Sequence, residues 1–456
     1  MIVKTNCAEY EIFKYLSLIV PRNYSEKISE IFKPSEGILE KNKAELKRPV
    51  TIEEAKARMA DIRNLTMGVT HNCNLRCHYC SFSGKYSYTR QHSSNSMDIK
   101  TYKKAIDFYL SFANSPFKVS RSFNLLSFYG GEPILEFNNI LKAFDYAKKK
   151  NSENPIQREL KGVITTNGVL LNPDRVNVLI ENDFIIDISL DGPKEQHDKF
   201  RVKADQTGTF NDILSNITYI RNRFPVKYDS NVRFQITIHP FHDLTMIEEF
   251  FLSYEDLFNK RNVLLSMVDL DSLEPEFKQD WTSGYLNILK QIDNSLDRDK
   301  WFYKKLIRFN FENYFTDPTR NLANYLNFTG TCFPGIDKLF VDVDGSIHIC
   351  EKMTTHFAIG NVYTGFDYEA IVKIVNNWRK NIVSQKCWDC SVWWLCRSCY
   401  AIRVKGKSIN FDENDCRGVL NYNKQDIHDL LNILEREDEI KNNNRYSDIN
   451  SYLESL

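Results

Sequence analysis

Between Cys80 and Cys332 the chain has no cysteine, although it has eleven in all. The gap separates an early group of thiols from a late field and leaves a thiol-free middle. Long apolar runs are also lacking: the longest are strand-like pieces such as residues 124–129, far short of the ~18 residues a membrane span needs. Neither sign of charge dominates. Sixty basic and sixty acidic side chains cancel, so no whole-protein field favours nucleic acid or an anionic membrane. The opening residues 1–20 have no uninterrupted apolar stretch of the secretory kind, because Lys4, Glu9, Glu11 and Lys14 break it. The expected location is therefore cytoplasmic. In a reducing compartment, cysteines serve as metal ligands rather than disulfides.

What the chain does have is Cys73, Cys77 and Cys80, in His71-Asn72-Cys73-Asn74-Leu75-Arg76-Cys77-His78-Tyr79-Cys80. Three thiols with spacers of three and two residues can turn from one loop toward one metal centre, and the spacing suits an iron–sulfur cluster. A four-iron cube bound by three thiolates keeps one iron open for chemistry. Buried structural cysteines would give no reason for this spacing in a polar loop. Zinc usually takes paired ligands from two places, whereas here the third thiol comes from the same turn.

This loop resembles that of the radical S-adenosylmethionine (SAM) enzymes, Cys-x3-Cys-x-aromatic-Cys, with Tyr79 in the aromatic place. The resemblance implies a [4Fe-4S] cluster whose open iron chelates SAM. It also implies one-electron cleavage of SAM to a 5′-deoxyadenosyl radical, which takes a hydrogen atom from substrate. The cofactor supplies the hard step and the protein orients it.

From residue 65 onward, strand-like and helix-like stretches alternate. Strands are expected at 65–70, 124–129, 162–165, 185–190, 232–238 and 263–268. Helices are expected at 98–113, 137–149, 173–181, 209–224 and 244–258. Repeated β–α units predict an α/β fold with a parallel sheet and right-handed crossovers. Six of them resemble the partial (β/α)6 radical SAM barrel, in which the active site lies at the C-terminal strand ends.

The remaining motifs fall at those ends. Gly130-Gly131-Glu132-Pro133 follows the second strand, where glycines permit close backbone approach and a carboxylate can accept bonds from an amine. It resembles the family element that binds the methionine amino group of SAM. Asn167, in the turn after the third strand, is a further candidate SAM ligand. Ser189 and Asp191 end the fourth strand, with His197, Asp198 and Arg201 just beyond. By resemblance Ser189 contacts the ribose or methionine end of SAM, and Arg201 meets its carboxylate, which a guanidinium fork suits.

The late field contains Cys332, Cys350, Cys387, Cys390, Cys396, Cys399 and Cys416, with Gly345 between the first two. It resembles the SPASM domain, a C-terminal cysteine-rich extension of radical SAM peptide maturases that holds two auxiliary [4Fe-4S] clusters. Cys396 and Cys399 enclose two residues where the common pattern has three. By the family's interleaved ligation Cys332, Cys350 and Cys399 hold an inner cluster, and Cys387, Cys390, Cys396 and Cys416 an outer one. The inner cluster would then keep a coordination site for a substrate thiolate, unless Cys7 fills it. Paired zinc ribbons are the rival for such a field, but seven cysteines do not fill two closed four-cysteine sites. Trp388, Trp393 and Trp394 read as shielding around this field.

The resulting expectation is a radical SAM/SPASM maturase that joins a cysteine sulfur to a carbon of a ribosomally made precursor peptide. Its electron donor would be a flavodoxin or ferredoxin. Carbon–carbon or carbon–oxygen cross-linking, epimerisation, or Ser/Cys oxidation use the same radical; a zinc-stabilised binding protein is the alternative without redox chemistry. The expected domains are residues 1–64, a possible leader-docking region with helices at 24–32 and 52–62; 65–310, the barrel; 311–425, the auxiliary-cluster domain; and 426–456, a tail beginning within a helix at 421–437.

Overall fold

The structure is a computed structural model that describes residues 48–59, 62–83, 90–114, 123–239 except 155 and 157, 242–258, 262–268, 332–381 except 337, 400–405, 408–409 and 416. Cys7, Cys387, Cys390, Cys396, Cys399, the three tryptophans at 388, 393 and 394, and the helices expected at 24–32 and 421–437 lie outside these residues.

Two compact units divide the chain: Glu53–Gln291 with Pro334–Ala370, and Met1–Ile52 with Ile292–Phe333 and Ile371–Leu456. The first contains a sheet built on β1 (Asn64–Thr70), β2 (Phe123–Gly130), β3 (Glu159–Thr166), β4 (Ile185–Ser189), β5 (Val232–Ile238) and β6 (Val263–Met267). These six run parallel, in sequence order. β1 buries every residue after Asn64, as expected of a parallel strand covered on both faces, whereas β5 alternates buried and half-buried positions.

The crossover helices carry the apolar stripe that covers such a sheet. In α1 (Ile99–Ala113) the buried residues are Thr101, Tyr102, Ala105, Ile106, Tyr109, Leu110 and Ala113, the three-and-four spacing of one helical face. Each large apolar side chain buried there is worth about 1.5–3 kcal/mol. Start signals are equally local. Asp98 caps α1 by accepting from Thr101 N at 2.6 Å, and Asn172 caps α2 (Pro173–Glu181), where Pro173 takes the first turn. The sequence places these elements to within a few residues. It does not give the short helices Lys194–Phe200 and Pro225–Asn231, and the helix expected at 52–62 is shorter, Ile52–Arg58.

The sheet continues on the other side of β1. There β7 (Leu339–Val341) pairs parallel with β1, Leu65 opposite Leu339. The antiparallel strands β8 (Ser346–His348), β9 (Gly360–Asn361) and β10 (Gly365–Phe366) follow. Gly345 makes the turn between β7 and β8 at φ +81°, and a Cβ there would also meet Val362 Cγ2 at 2.9 Å. In the second unit Trp378 is fully buried with its ring 4.7 Å from that of Tyr400, and Val50 N donates to Asn376 Oδ1 at 2.8 Å. Among the described residues no helix is long and apolar enough to cross a membrane.

Candidate active site

Residues 71–80 leave the C-terminal end of β1 as an irregular loop bonded to the end of the helix Lys194–Phe200 and the segment that follows it. Arg76 N donates to Val202 O at 2.8 Å and His78 N to Phe200 O at 3.0 Å. Leu75 N donates to Cys73 Sγ at 3.4 Å and Phe82 N to Cys80 Sγ at 3.3 Å. N–H bonds to sulfur of this kind favour thiolates and tune a cluster's potential. Without a metal the donors do not ionise. Burial drives the Cys77 thiol up to about 12, and burial together with the Glu132 charge raises Cys73 well beyond the usual thiol range. Three half-buried sulfurs in one loop are a donor set whose chemistry suits a metal, which would strip their protons on binding.

The Gly130-Gly131 turn lies directly against this loop. Gly131 N donates to Thr70 O at 2.7 Å and Glu132 N to Asn72 O at 2.8 Å. A Cβ would stand 2.4 Å from Thr70 O at position 130, where φ is +134°, and 2.1 Å from Asn72 O at position 131. The glycines thus let two main chains touch, a role the sequence alone ascribes to ligand approach. Glu132 is fully buried, next to a buried Pro133. Its carboxylate accepts from Ile134 N at 3.0 Å, Thr166 Oγ1 at 2.7 Å and Asn167 N at 2.8 Å. Burial raises its pKa, against the pull of those bonds. A carboxylate has about four acceptor sites, so most of this one is spent tying the ends of β2 and β3 together. The Asn167 amide faces the cysteine loop, donating to Asn74 Oδ1 at 2.8 Å and to Cys73 Sγ at 3.9 Å.

Beyond β4 the structure gathers Tyr79, Asp191 and Arg201. Arg201 donates from Nε to Asp191 Oδ2 at 2.7 Å and from Nη2 to Asp191 Oδ1 at 3.2 Å. Nη2 also reaches Thr237 Oγ1 at 3.3 Å. Tyr79 Oη makes a short hydrogen bond to Asp191 Oδ2, and Thr237 N donates to Oδ1 at 2.9 Å. The Tyr79 ring lies 5.3 Å from the guanidinium carbon. Burial alone would raise the Asp191 pKa, but the Arg201 charge and its hydrogen bonds override that and hold it low. Arg201 therefore meets a protein carboxylate, and these bonds leave Nη1 for any other partner. Ser189 stands at the end of β4 opposite Gln235.

His197, behind this pair, shows where its proton sits. Asp191 N donates to Nδ1 at 3.2 Å, which makes Nδ1 the acceptor, so Nε2 carries the hydrogen and gives it to Thr209 Oγ1 at 2.9 Å. Thr209 in turn donates to Arg201 O at 3.0 Å. Burial lowers the His197 pKa to about 4, which keeps the ring neutral. Thr166 and Thr237, near strand ends, and Thr209, at a helix start, were not legible as site residues, because a lone threonine has no spacing signature. In the late field Cys332 is exposed and Cys350 half-buried. Arg403 Nη2 donates to Cys416 Sγ at 3.6 Å.

Residues 67–252 match the Radical SAM superfamily. This part of the chain is a radical SAM domain, and the protein is an enzyme; a domain of this kind implies SAM and a [4Fe-4S] cluster. The chain is 28% identical over 355 residues to the cysteine-type anaerobic sulfatase-maturating enzyme of Clostridium novyi (strain NT), covering 75% of this chain and 88% of the relative. It is 26% identical over 167 residues to the radical SAM cyclopropyl synthase TigE of Paramaledivibacter caminithermalis, covering 36% of this chain and 32% of the relative. The structure of native anSMEcpe with bound AdoMet has the same fold, with a TM-score of 0.58 and 19% identity over 84% of this chain and all of that one.

Proposed function

We propose that the enzyme modifies a ribosomally made peptide or protein segment, and that the modified group is a cysteine whose sulfur is joined to carbon as a thioether. Cys73, Cys77 and Cys80 would hold the SAM-binding cluster. When bound, that group supplies a carbon-centred radical able to take a hydrogen atom from an unactivated C–H bond. The chain's own residues orient and enclose. Gly130, Gly131 and Glu132 fix the cysteine loop, Asn167 places an amide against Cys73, and Asp191 holds Arg201 with Nη1 left for a SAM carboxylate. The Ser189 hydroxyl, at the same strand ends, would serve the ribose or methionine end.

The observation that carries this reading is the convergence of Cys73, Asn167, Glu132, Tyr79, Asp191 and Arg201 on one end of the sheet through direct hydrogen bonds. The names of the relatives, maturating enzymes and a cyclopropyl synthase, support modification of a peptide or protein. The cysteine count supports the thioether. Cys332, Cys350 and Cys399 would hold an inner auxiliary cluster with one coordination site to spare, and Cys387, Cys390, Cys396 and Cys416 an outer one. A flavodoxin or ferredoxin would deliver the electron. Oxidation of a Cys or Ser side chain is the second reading, favoured by the cysteine-type maturating relative.

Anaerobically reconstituted protein with dithionite and SAM should yield 5′-deoxyadenosine, and the Cys73/Cys77/Cys80→Ala variant should yield none. With a cysteine-containing peptide encoded nearby, the product should lose two hydrogens and resist iodoacetamide at one cysteine. A product that is still fully alkylated would exclude the thioether, and one that reacts with a hydrazine probe would replace it with side-chain oxidation.

A further inference from the structure

Asp342 directly follows β7 and is almost fully buried. Oδ1 contacts His71 Nε2 at 2.7 Å and accepts from Val343 N at 2.8 Å, while Oδ2 accepts from Arg90 Nε at 2.5 Å. Burial would raise its pKa, but His71 and Arg90 pull it far below the carboxylate range.

Each partner leads somewhere. His71 lies between β1 and Cys73, and its main chain is fixed too, with N donating to Asn95 O at 2.9 Å and O accepting from Ser93 N at 3.3 Å. Arg90 is also buried, its guanidinium 4.5 Å from the centre of the Phe340 ring. Nη1 donates to Glu351 O at 2.9 Å and Met353 O at 3.1 Å. Those carbonyls belong to the turn that starts at Cys350, which Met353 N closes by donating to Cys350 O at 3.2 Å. Gly68 makes room for this arrangement, since a Cβ there would stand 2.7 Å from Phe340 Cζ.

We propose that Asp342 is a positioning residue for the radical-generating cluster. Through His71 it fixes the departure of the Cys73 loop from β1, and through Arg90 it fixes the main-chain turn at Cys350. One buried carboxylate thus sets the geometry at both cysteine positions. The proposal rests on the reading of Cys73, Cys77 and Cys80 as cluster ligands. It goes beyond that reading in giving the β7 end a role in the cluster's environment.

The test compares wild type, Asp342→Asn, His71→Leu and His71→Gln, with Asp344→Asn as a surface control. All are reconstituted anaerobically and measured for iron per chain, midpoint potential, and the electron paramagnetic resonance (EPR) signal of the reduced cluster with and without SAM. Partners of this kind typically govern metal affinity or activity by roughly 10- to 100-fold. Asp342→Asn and His71→Leu should therefore lose 5′-deoxyadenosine formation by about that factor, with iron lost from the three-cysteine cluster only, a shifted potential and an altered response of the EPR signal to SAM. His71→Gln, which keeps a side-chain N–H donor, should recover most of the wild-type signal.

Unchanged iron, potential and EPR signal in Asp342→Asn and His71→Leu would overturn the proposal. So would equal impairment of His71→Leu and His71→Gln, because packing rather than the hydrogen bond would then be at work. If Asp342→Asn does not fold, the two His71 variants decide. A wild type that binds no three-cysteine cluster would overturn this proposal together with the functional reading, whereas a wild type with a normal cluster and unaltered variants would overturn this proposal alone.

Discussion

Replacing Asp191 by asparagine leaves its shape nearly unchanged and removes only the charge that faces Arg201. Both side chains are buried, and the guanidinium is held by two bonds to this one carboxylate. An asparagine amide can accept from Arg201 on one side only, and its NH2 opposes the donor on the other. Breaking a buried pair in this way costs about 3–5 kcal/mol, or roughly 6–20 °C in Tm for a domain of this size. The assay is urea unfolding of the metal-free protein, which separates the pair from any bound cofactor. Because the folded Asp191 pKa lies below its unfolded value, its contribution is fully present above about pH 4 and fades only as pH falls through the lower folded value. The loss in Asp191→Asn should therefore be the same at pH 6 and pH 8. An Asp191→Asn/Arg201→Met double variant should regain part of the stability, since the uncompensated charge is gone. A single-variant loss under about 1 kcal/mol, or a double variant at least as unstable as the single, would refute the buried pair.

Three further outcomes are expected. Tyr79→Phe keeps the ring beside Arg201 and loses the bond to Asp191, so it should cost about 1–3 kcal/mol in the same urea assay; a neutral effect would contradict the hydrogen bond. Gly131→Ala drives a Cβ to 2.1 Å from Asn72 O, so the Cys73/Cys77/Cys80 cluster and 5′-deoxyadenosine formation should be lost while the second unit keeps its fold and its iron; iron content and 5′-deoxyadenosine yield equal to wild type would count against the contact. His197, His242 and His348 are each brought down by burial from 6.5 to about 4. The unfolded chain thus takes up protons that the folded one refuses, and stability should fall by up to roughly 1.4 kcal/mol per pH unit per group as pH drops from 6.5 toward 4. A urea midpoint that stays flat from pH 7 to 4.5 would exclude this.

Much of the barrel was legible because each element carries its own signal. Pro173 after Asn172 starts a helix that ends at Glu181 as expected, and Val232–Ile238 alternates between buried and half-buried positions along its length. That Cys73, Cys77 and Cys80 share one loop at the end of β1 was legible from the sequence. The contacts that hold the site together were not. Arg201 could be assigned a carboxylate partner by chemistry, yet that Asp191 supplies one depends on how the chain turns after β4. Likewise β7 is only three residues long and pairs with a strand some 270 positions earlier, a distance at which no local pattern specifies register. Asp342 lies three residues before Gly345 in Val341-Asp342-Val343-Asp344-Gly345, where the glycine fitted the resemblance to the late cysteine field and the carboxylate had no visible partner.

The pairing of β7 with β1 also has a bearing on synthesis. A ribosome extends a chain at about 5–20 residues per second, so Leu339 emerges on the order of tens of seconds after Leu65. Over that interval the strand feeding the cysteine loop presents an open flank of the kind that invites wrong partners. Chaperone cover or early metal insertion would protect the nascent chain most during this window, and truncations ending before β7 should be markedly more prone to aggregate than those ending after it.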